Sequence, residues 1–323
     1  MTRHALPRRA VLAGLAAFSA GRVLAQSGAP LRMVVPYASG SAGEVVARLL
    51  VEQLSPILGQ ACIVDMRPGA AGNIGAAAVA AAPADGATLL LGATNNFAVN
   101  QFLYRNMPFD PEKALAPIGI VADVPSVILT NAKTPAATLA EFVALAKARP
   151  GVLNYASPGI GTTPHLGTEL LAREAGIRLT HVPYRGGGQA ATALLQDEVQ
   201  LYLVGYGVAR PLIEGGGLRP LAVASTQRLP ALPDVPTTAE AGLPGVVANN
   251  WWGLAGPAGM APAQRTAISV AVRDAIGRNR LTERLKELGF VVVAGTPEAM
   301  AATVREDAAR WSGLIRELGI TLD

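Results

Sequence analysis

Short apolar runs alternate with stretches of helical spacing along most of this chain. The run "LRMVVPY" (31–37) precedes a helical stretch near 43–58, and "CIVDM" (62–66) precedes another near 73–82. The pattern resumes after Pro125, where a helix near 138–148 is followed by further strand and helix pairs. Such alternation is typical of layered α/β folds whose strands are largely parallel. The pattern therefore predicts an α/β protein, with a more helical last third that ends in a long helix from Thr296 to about Leu318.

The length of the chain, 323 residues, suits about two domains. Half of the residues are apolar and 15% are charged, which provides a large core and excludes wholesale disorder. Two α/β halves of similar size are visible. We predict a first lobe of residues 26–125 plus 236–323 and a second lobe of residues 126–235. Each lobe is expected to be a mostly parallel sheet flanked by helices, and two crossing strands near 124–130 and 222–236 are expected to join them.

The first 25 residues have the three-part pattern of an export signal. A basic start with Arg8 and Arg9 is followed by an apolar stretch from Ala10 to about Ala20 and by the small-residue site "VLA" at 23–25. The paired arginines leave the twin-arginine route open beside the general secretory route. The alternative is an N-terminal anchor helix that the mature protein keeps. We predict export to the periplasm, with residues 1–25 removed.

Composition excludes several classes of function. The predicted signal holds four arginines and no acidic residue, so it accounts for the whole formal net charge of +4. A basic partner of nucleic acid or membrane surfaces is therefore not indicated. Cys62 is the only cysteine, and His165 and His181 are the only histidines after residue 25. We expect no internal disulfide, no metal site and no cofactor.

Three predicted strand-to-helix loops have the composition of an anion site. They are "YASGSAGE" (37–44), "ASPGIGTTPH" (156–165) and "VPYRGGGQ" (182–189). In parallel α/β sheets, ligands bind beyond the carboxyl ends of strands, where helix N-termini offer unpaired N–H groups. The alternative for the third loop, taken alone, is a flexible turn at "RGGGQ" (185–189). Several such loops in one chain favour a shared cleft.

The loop at 156–165 does not match known catalytic or nucleotide motifs. It lacks the lysine of a phosphate-binding P-loop, and Pro164 stands where a dinucleotide fingerprint needs its third glycine. Ser157 and His165 lie eight residues apart without an evident acidic partner, so nucleophilic catalysis is disfavoured. Thr163 and Pro164 are also typical of ordinary helix capping, and His165 of a buried hydrogen-bonding residue. An anion cradle fits best, and no enzyme activity is predicted.

A set of motifs in a fixed order resembles one known family over residues 30–320. The motifs are "DMRPGAAGNIGAAAVAAAPADGATLLLG" (65–92), "YASPGIGTTPH" (155–165), "HVPYRGGG" (181–188), "LPALPDVPTTAEAGLPG" (229–245) and "WWGLAGPAGM" (251–260). They resemble the Bug family, the extracytoplasmic solute receptors of tripartite tricarboxylate transporters. The resemblance implies a two-lobed periplasmic binding protein fold, type II-like, that closes around a small organic acid. It also implies that the loops at 37–44 and 156–165 hold one carboxylate, largely through backbone N–H groups and water.

The resemblance and the loop compositions together give a set of candidate ligand-binding residues. They are Tyr37, Ser39, Gly40, Ser41, Asn95, Ser157, Gly159, Gly161, Thr162, His165, Tyr184, Gly187, Gly188 and Val204. The expected ligand is a small organic carboxylate, either a di- or tricarboxylate or an aromatic acid. The expected partners are this ligand and the membrane permease subunits of the transporter, with the receptor a monomer. A sensor without transport and a small-acid hydrolase are the alternatives.

The chain departs from the family pattern at two places that bear on the ligand. Gly43 stands where many members have a hydroxyl residue, and Glu44 replaces a shorter aspartate. Val204 stands where many members have an aspartate at the end of a strand. Without that carboxylate a ligand ammonium has no obvious partner, so we expect an acid that lacks an amino group. The pair Trp251–Trp252 is expected to pack in the core or between lobes; Arg185, more than Arg67, could pair with a distal carboxylate.

Overall fold

The computed structural model describes residues 29–39 and 41–322. The predicted export signal, residues 1–25, and the candidate site residue Gly40 lie outside the described residues. The strands are β1 Leu31–Val35, β2 Cys62–Met66, β3 Thr88–Ala93, β4 Leu115–Val124, β5 Ser126–Asn131, β6 Asn154–Ser157, β7 Thr180–Pro183, β8 Leu201–Gly205, β9 Leu218–Val223, β10 Asn250–Pro257 and β11 Val291–Val292. The α-helices are α1 Ala42–Leu58, α2 Asn73–Ala80, α3 Asn100–Leu103, α4 Pro111–Ala114, α5 Leu139–Ala148, α6 Thr163–Ala175, α7 Gly187–Leu195, α8 Tyr206–Glu214, α9 Pro262–Ile276, α10 Asn279–Glu287 and α11 Pro297–Leu318.

The strands form two sheets with helices packed against them. The first sheet has the order β11-β4-β10-β3-β1-β2, and the second has the order β7-β6-β8-β5-β9. Within the first sheet, β1 runs parallel to β2 and β3, whereas β10 is antiparallel to both β3 and β4. Within the second, β6 runs parallel to β7 and β8, whereas β5 is antiparallel to β8 and β9. The α/β class is confirmed, and it comprises two mixed sheets.

The mixture of strand directions differs from the mostly parallel sheets that the alternation predicts. Two strands that are parallel neighbours need a crossover connection, usually a helix. Strand β5 instead follows β4 directly across Pro125, and β10 arrives by a long loop from the other sheet. Both strands pair antiparallel with their neighbours. The two strands at the crossings therefore depart from the parallel direction, as does the short strand β11, which pairs antiparallel with β4.

The first crossing between the sheets lies at Pro125, between β4 and β5. After β9 the chain remains beside the second sheet for more than twenty residues. The Thr238 N–H donates to the Val223 carbonyl at 2.9 Å, and the Ala248 N–H donates to the Ala224 carbonyl at 2.9 Å. The boundaries of the lobes stay a prediction. These hydrogen bonds favour a second lobe that extends to about residue 248.

Helix α1 shows how local sequence places the site. Val46, Leu50 and Leu54 recur at helical spacing and are fully buried against the first sheet. Burying one such side chain contributes about 1.5–3 kcal/mol. Ser41 caps the start of the helix, and Gly59 ends it in the left-handed conformation. The helix therefore begins at the carboxyl end of β1, where the first candidate loop lies.

Within residues 29–39 and 41–322, none of the helices has both the length and the apolar character that a bilayer span requires.

Candidate functional site

A cavity of about 460 Å³ lies between the two sheets. Its walls come from the carboxyl ends of β1 and β3 in the first sheet and of β6 and β8 in the second, together with β10 and both ends of the Pro125 crossing. It is lined by Tyr37, Ser41, Ala71, Ala93, Asn95, Val124, Ser126, Pro158, Thr162, Thr163, Pro164, Gly187, Tyr202, Val204, Gly205, Val208, Asn250 and Trp252. Among these described lining residues, none has a charged side chain. The volume lies within the usual range for small-molecule sites.

Four helices begin at this cavity, and three of them begin without a side-chain cap. Ser41 accepts a hydrogen bond from the Glu44 N–H at 3.3 Å and so caps α1. The residues before α6, α7 and α8 are Thr162, Gly186 and Gly205, and none of them makes a side-chain capping bond in the described structure. The first turn of a helix leaves its N–H groups without intrahelical partners, and its dipole places about half a positive charge there. These three starts can bind an anion without any cationic side chain.

The loop from Ser157 to Thr162 is held in shape by its own polar groups. The Thr162 hydroxyl donates to the Gly159 carbonyl at 2.7 Å, and the Gly159 N–H donates to Ser157 Oγ at 3.1 Å. The Thr162 hydroxyl is thus engaged with the loop instead of capping α6. Asn95 Nδ2, from the short π-helix Asn95–Val99 after β3, donates to the Gly161 carbonyl at 3.1 Å. This bond joins the first sheet to the loop of the second.

Position 161 requires glycine for two structural reasons. Its φ of +76° lies in the left-handed region, and a Cβ built there would lie 2.6 Å from Leu103 Cδ1. Its N–H donates to His165 Nδ1 at 3.1 Å. The requirement for glycine at this position therefore follows from the backbone conformation and from the packing of Leu103.

The buried His165 and the half-buried His181 lie next to the loop. The rings of His165 and His181 stack with centroids 4.2 Å apart, and Ser157 Oγ lies 2.6 Å from His181 Nε2. Burial, together with the charge that His181 would carry, lowers the pKa of His165 to about 4, and burial lowers the pKa of His181 as well. Both rings are therefore neutral near pH 7, and His165 Nδ1 is free to accept the Gly161 N–H. The serine considered with His165 in the sequence pairs instead with His181, and it is fully buried.

Aromatic side chains form the wall of the cavity on the side of the first sheet. The ring of Tyr37 meets the ring of Trp252 edge to face with centroids 5.4 Å apart. The Tyr37 hydroxyl donates to Asn96 Oδ1 at 3.0 Å, and burial raises the pKa of Tyr37. A Cβ at Gly43 would overlap the Trp252 ring. Gly43, noted in the sequence for lacking a hydroxyl, is thus the position that lets Trp252 lie against the first turn of α1.

The candidate residues from the sequence divide into three groups in the structure. Those that line the cavity are Tyr37, Ser41, Asn95, Thr162, Gly187 and Val204. Those that build the loop or lie beside it are Ser157, Gly159, Gly161, His165 and Tyr184, whose N–H donates to the Ser157 carbonyl. Ser39 and Gly188 are exposed, and neither lines the cavity. Contact of any of these residues with a ligand stays a prediction.

Several residues that line the cavity were not identified from the sequence. Trp251 and Trp252 look alike in the sequence, yet they point to opposite faces of β10. Trp251 stacks on Phe97 and donates from Nε1 to Asp307 at 2.8 Å, whereas Trp252 lines the cavity. The alternation of side chains along a strand could have separated the two, given the register of β10. Asn250, which shares the face of Trp252, was missed for the same reason.

The two arginines considered for a distal carboxylate do not line the cavity. The Arg67 guanidinium pairs with the Asp65 carboxylate at 2.9 Å. The side chain of Arg185 is exposed. Among the described residues, no group of three or more His, Cys, Asp and Glu side chains could hold a metal ion.

Comparison with known proteins identifies close relatives over almost the whole chain. Residues 46–320 match the family described as the tripartite tricarboxylate transporter family receptor. Protein BugT of Bordetella pertussis is 34% identical over 294 residues, which cover 91% of this chain and 90% of BugT. Two solved structures from Rhodopseudomonas palustris are also similar. Rpa4515 with adipate has a TM-score of 0.77 at 34% identity and covers 90% of this chain and 98% of its own. MatC with bound malate has a TM-score of 0.74 at 30% identity, and the match covers 88% of this chain and 98% of MatC.

These matches confirm the resemblance seen in the sequence motifs and the periplasmic binding protein fold that it implies. The matched region includes α6, α7 and α8, whose starts line the cavity. The family is one of solute-binding receptors rather than enzymes. This protein belongs to the receptor family of the tripartite tricarboxylate transporters.

Proposed function

We propose that this protein is a periplasmic receptor that captures a small organic carboxylate in the cavity between its two sheets. One observation carries the proposal: three helices begin without a side-chain cap at a cavity whose described lining has no charged side chain. A carboxylate placed there is stabilised by backbone N–H groups and helix dipoles. The ligands of two similar proteins, adipate in Rpa4515 and malate in MatC, support the assignment to carboxylates.

The mechanism is capture followed by closure. The uncapped helix starts belong to the second sheet, while Tyr37, Ser41 and Asn95 approach from the first. A carboxylate that contacts both walls binds the closed arrangement better than an open one, and so it shifts the population toward closure. Neither ligand binding nor closure involves a covalent step.

The expected partner of the closed form is the membrane permease of a tripartite tricarboxylate transporter. Membership in the receptor family supports this assignment. Export by the signal at residues 1–25, through the general secretory or the twin-arginine route, would bring the protein to the periplasm. The receptor is expected to act there as a monomer. A receptor that serves a sensor instead of a permease would use the same cavity.

The ligand is an acid without an amino group. Val204 is almost fully buried at the end of β8 and lines the cavity. The described lining offers no carboxylate to pair with a ligand ammonium, and burial of an unpaired charge is costly.

A thermal-shift screen of the purified protein against carboxylic acids and amino acids tests the proposal. A ligand at one hundred times its dissociation constant stabilises the folded state by about 2.7 kcal/mol, which raises the unfolding temperature. We expect a rise with at least one class of carboxylic acid and none with amino acids. A folded protein that responds to no carboxylate, or that responds best to glutamate or aspartate, would contradict the proposal.

A further inference from the structure

Valine side chains form one wall of the cavity, beside the start of α8. Val124 ends β4, Val204 lies one residue before the end of β8, and Val208 is the third residue of α8; all three line the cavity. Val208 is 46% exposed, so a ligand in the cavity can reach its side chain. Val124 is partly exposed, and its Cγ1 lies 2.7 Å from the position that a Cβ would take on Gly205. We call Val124, Val204 and Val208 the valine wall.

The valine wall has no cation to offer a second carboxylate. The described lining of the cavity contains no arginine or lysine. Arg210, two residues after Val208 on α8, donates to the Glu214 carboxylate at 2.9 Å and to the Glu287 carbonyl at 3.2 Å. A carboxylate against the valine wall would therefore lose its hydration without gaining an opposite charge. A hydrocarbon group in the same place would be stabilised by leaving water.

The valine wall also lies at the least suitable of the three uncapped helix starts. The first N–H group of α8, from Tyr206, already donates to the Pro125 carbonyl at 2.9 Å. The starts of α6 and α7 are lined instead by Thr162, Thr163 and Gly187. Each helix start carries about half a positive charge, so these two together match the single charge of one carboxylate. We therefore expect the carboxylate at α6 and α7, with the rest of the ligand directed toward the valine wall.

The wall of the first sheet adds aromatic surface to the same cavity. The partly exposed Tyr37 and the ring of Trp252 both line it. The Tyr37 hydroxyl donates to Asn96 Oδ1 at 3.0 Å, so its proton is already engaged within the protein. A hydrocarbon group in the cavity would thus meet apolar surface from both sheets.

We propose that the ligand is a monocarboxylate whose remaining part is an uncharged hydrocarbon chain or ring, and that the valine wall binds this apolar part. The inference rests on the proposed function, since it takes the carboxylate to lie at helix starts in the cavity. It separates this protein from the two similar structures, whose ligands adipate and malate are dicarboxylates.

Titration calorimetry with matched acids tests the inference. The probes are straight-chain monocarboxylates of four to eight carbons, the dicarboxylates of the same carbon numbers, and the rigid pair benzoate and terephthalate. Burial of each methylene group corresponds to about fourfold in affinity, so monocarboxylate binding should tighten by about this factor per carbon until the cavity is filled. At the best chain length the monocarboxylate should bind about tenfold or more tightly than its dicarboxylate. Tighter binding of the dicarboxylate, or monocarboxylate affinities that do not rise with chain length, would overturn the proposal.

Substitutions at Val208 locate the apolar part of the ligand. Val208→Arg places a cation at the valine wall, and a charged hydrogen bond corresponds to roughly tenfold or more in affinity, so the preference should shift toward the dicarboxylate by about that factor. Val208→Thr replaces one methyl group by a hydroxyl at nearly constant size. It should weaken the longest monocarboxylate that binds about fourfold and leave the shortest within about twofold.

Val270→Arg is the matched control for the arginine variant. Val270 is 41% exposed on α9 and does not line the cavity, so this variant adds the same charge elsewhere on the surface. It should leave the ratio between the two acids unchanged. A ratio that is also unchanged in Val208→Arg, or that shifts equally in both arginine variants, would refute the role of the valine wall.

The outcomes distinguish this inference from the proposed function. If dicarboxylates bind the wild-type protein more tightly than monocarboxylates, the inference fails while carboxylate capture in the cavity stands. If no acid binds the folded wild-type protein, the proposed function fails and this inference fails with it.

Discussion

Replacing Asp123 by asparagine should stabilise the protein above neutral pH. Asp123 lies one residue before the end of β4, and its Oδ2 accepts a hydrogen bond from Asn249 Nδ2 at 2.7 Å. Asn249 directly precedes β10, so the bond joins the two chain segments that cross between the sheets. The other oxygens, Asp123 Oδ1 and Asn249 Oδ1, are buried without a partner in the described structure. A proton on Asp123 Oδ1 would let it donate to Asn249 Oδ1, and an asparagine amide at this position would supply the same donor at every pH.

The magnitude follows from the pKa of Asp123. Burial is the main cause that raises this pKa from 3.8 to about 7, and the neighbouring Asp307 carboxylate adds to it. Since the pKa is higher in the folded state, the stabilisation from this group is fully present below pH 3.8 and is lost as the pH rises through 7. The slope is about 1.4 kcal/mol per pH unit. Over roughly three units the loss reaches about 4 kcal/mol.

Urea denaturation from pH 4 to pH 9 measures the effect. The free energies of unfolding of wild type and Asp123→Asn should nearly agree at pH 4, and the variant should be more stable by a few kcal/mol at pH 8. Asp274→Asn, which removes an exposed carboxylate on α9, is the control and should track the wild type across the range. Curves for Asp123→Asn and wild type that run parallel from pH 4 to pH 9 would show that burial does not raise the pKa of Asp123 in the folded protein.

Three further predictions concern the site. Because the pKa of His165 is lowered to about 4, stability should fall by up to about 1.4 kcal/mol per unit as the pH drops from about 6.5 to 4; a denaturation series in which His165→Gln shows the same slope as wild type would contradict this. Gly187→Ala places a Cβ in the cavity 3.3 Å from the Tyr202 hydroxyl and should weaken carboxylate binding several-fold by calorimetry. Gly188→Ala, at the next position of the same helix, places its Cβ in open space and should leave carboxylate binding unchanged. Equal affinities of the two variants for the carboxylate would indicate that the site lies elsewhere. Gly43→Ala should destabilise the protein by about 1–3 kcal/mol in a thermal or urea melt, because its Cβ overlaps the Trp252 ring, and an unchanged melt would disprove that packing.

Local signals account for much of the fold and for part of the site. The hydroxyl, glycine and proline residues before α1, α6 and α7 mark helix starts, and strands that run in parallel bring their carboxyl ends to one edge of the sheet. These signals predict that Ser41, Thr162 and Gly187 lie together, and all three line the cavity. The predicted start of the final helix after Thr296 is also confirmed.

The remaining residues of the site come together through pairing between strands, which no local sequence pattern specifies. Ser157 meets His181 because β6 and β7 are parallel neighbours in a register that aligns Tyr155 with His181. Asn250 and Trp252 reach the cavity because β10 inserts between β3 and β4, far from it in sequence. The direction of β10 depends on the path that the chain takes between the two sheets. The spacing of apolar residues along the sequence does not predict that path.

A crystal structure of the protein with a bound acid, chosen from the thermal-shift screen, would locate the carboxylate within the protein. We predict that the ligand carboxylate lies within hydrogen-bonding distance of backbone N–H groups at the starts of α6, α7 or α8, with no cationic side chain in contact. A carboxylate that pairs with the guanidinium of Arg67 or Arg185, or that lies outside the cavity between the sheets, would contradict the account.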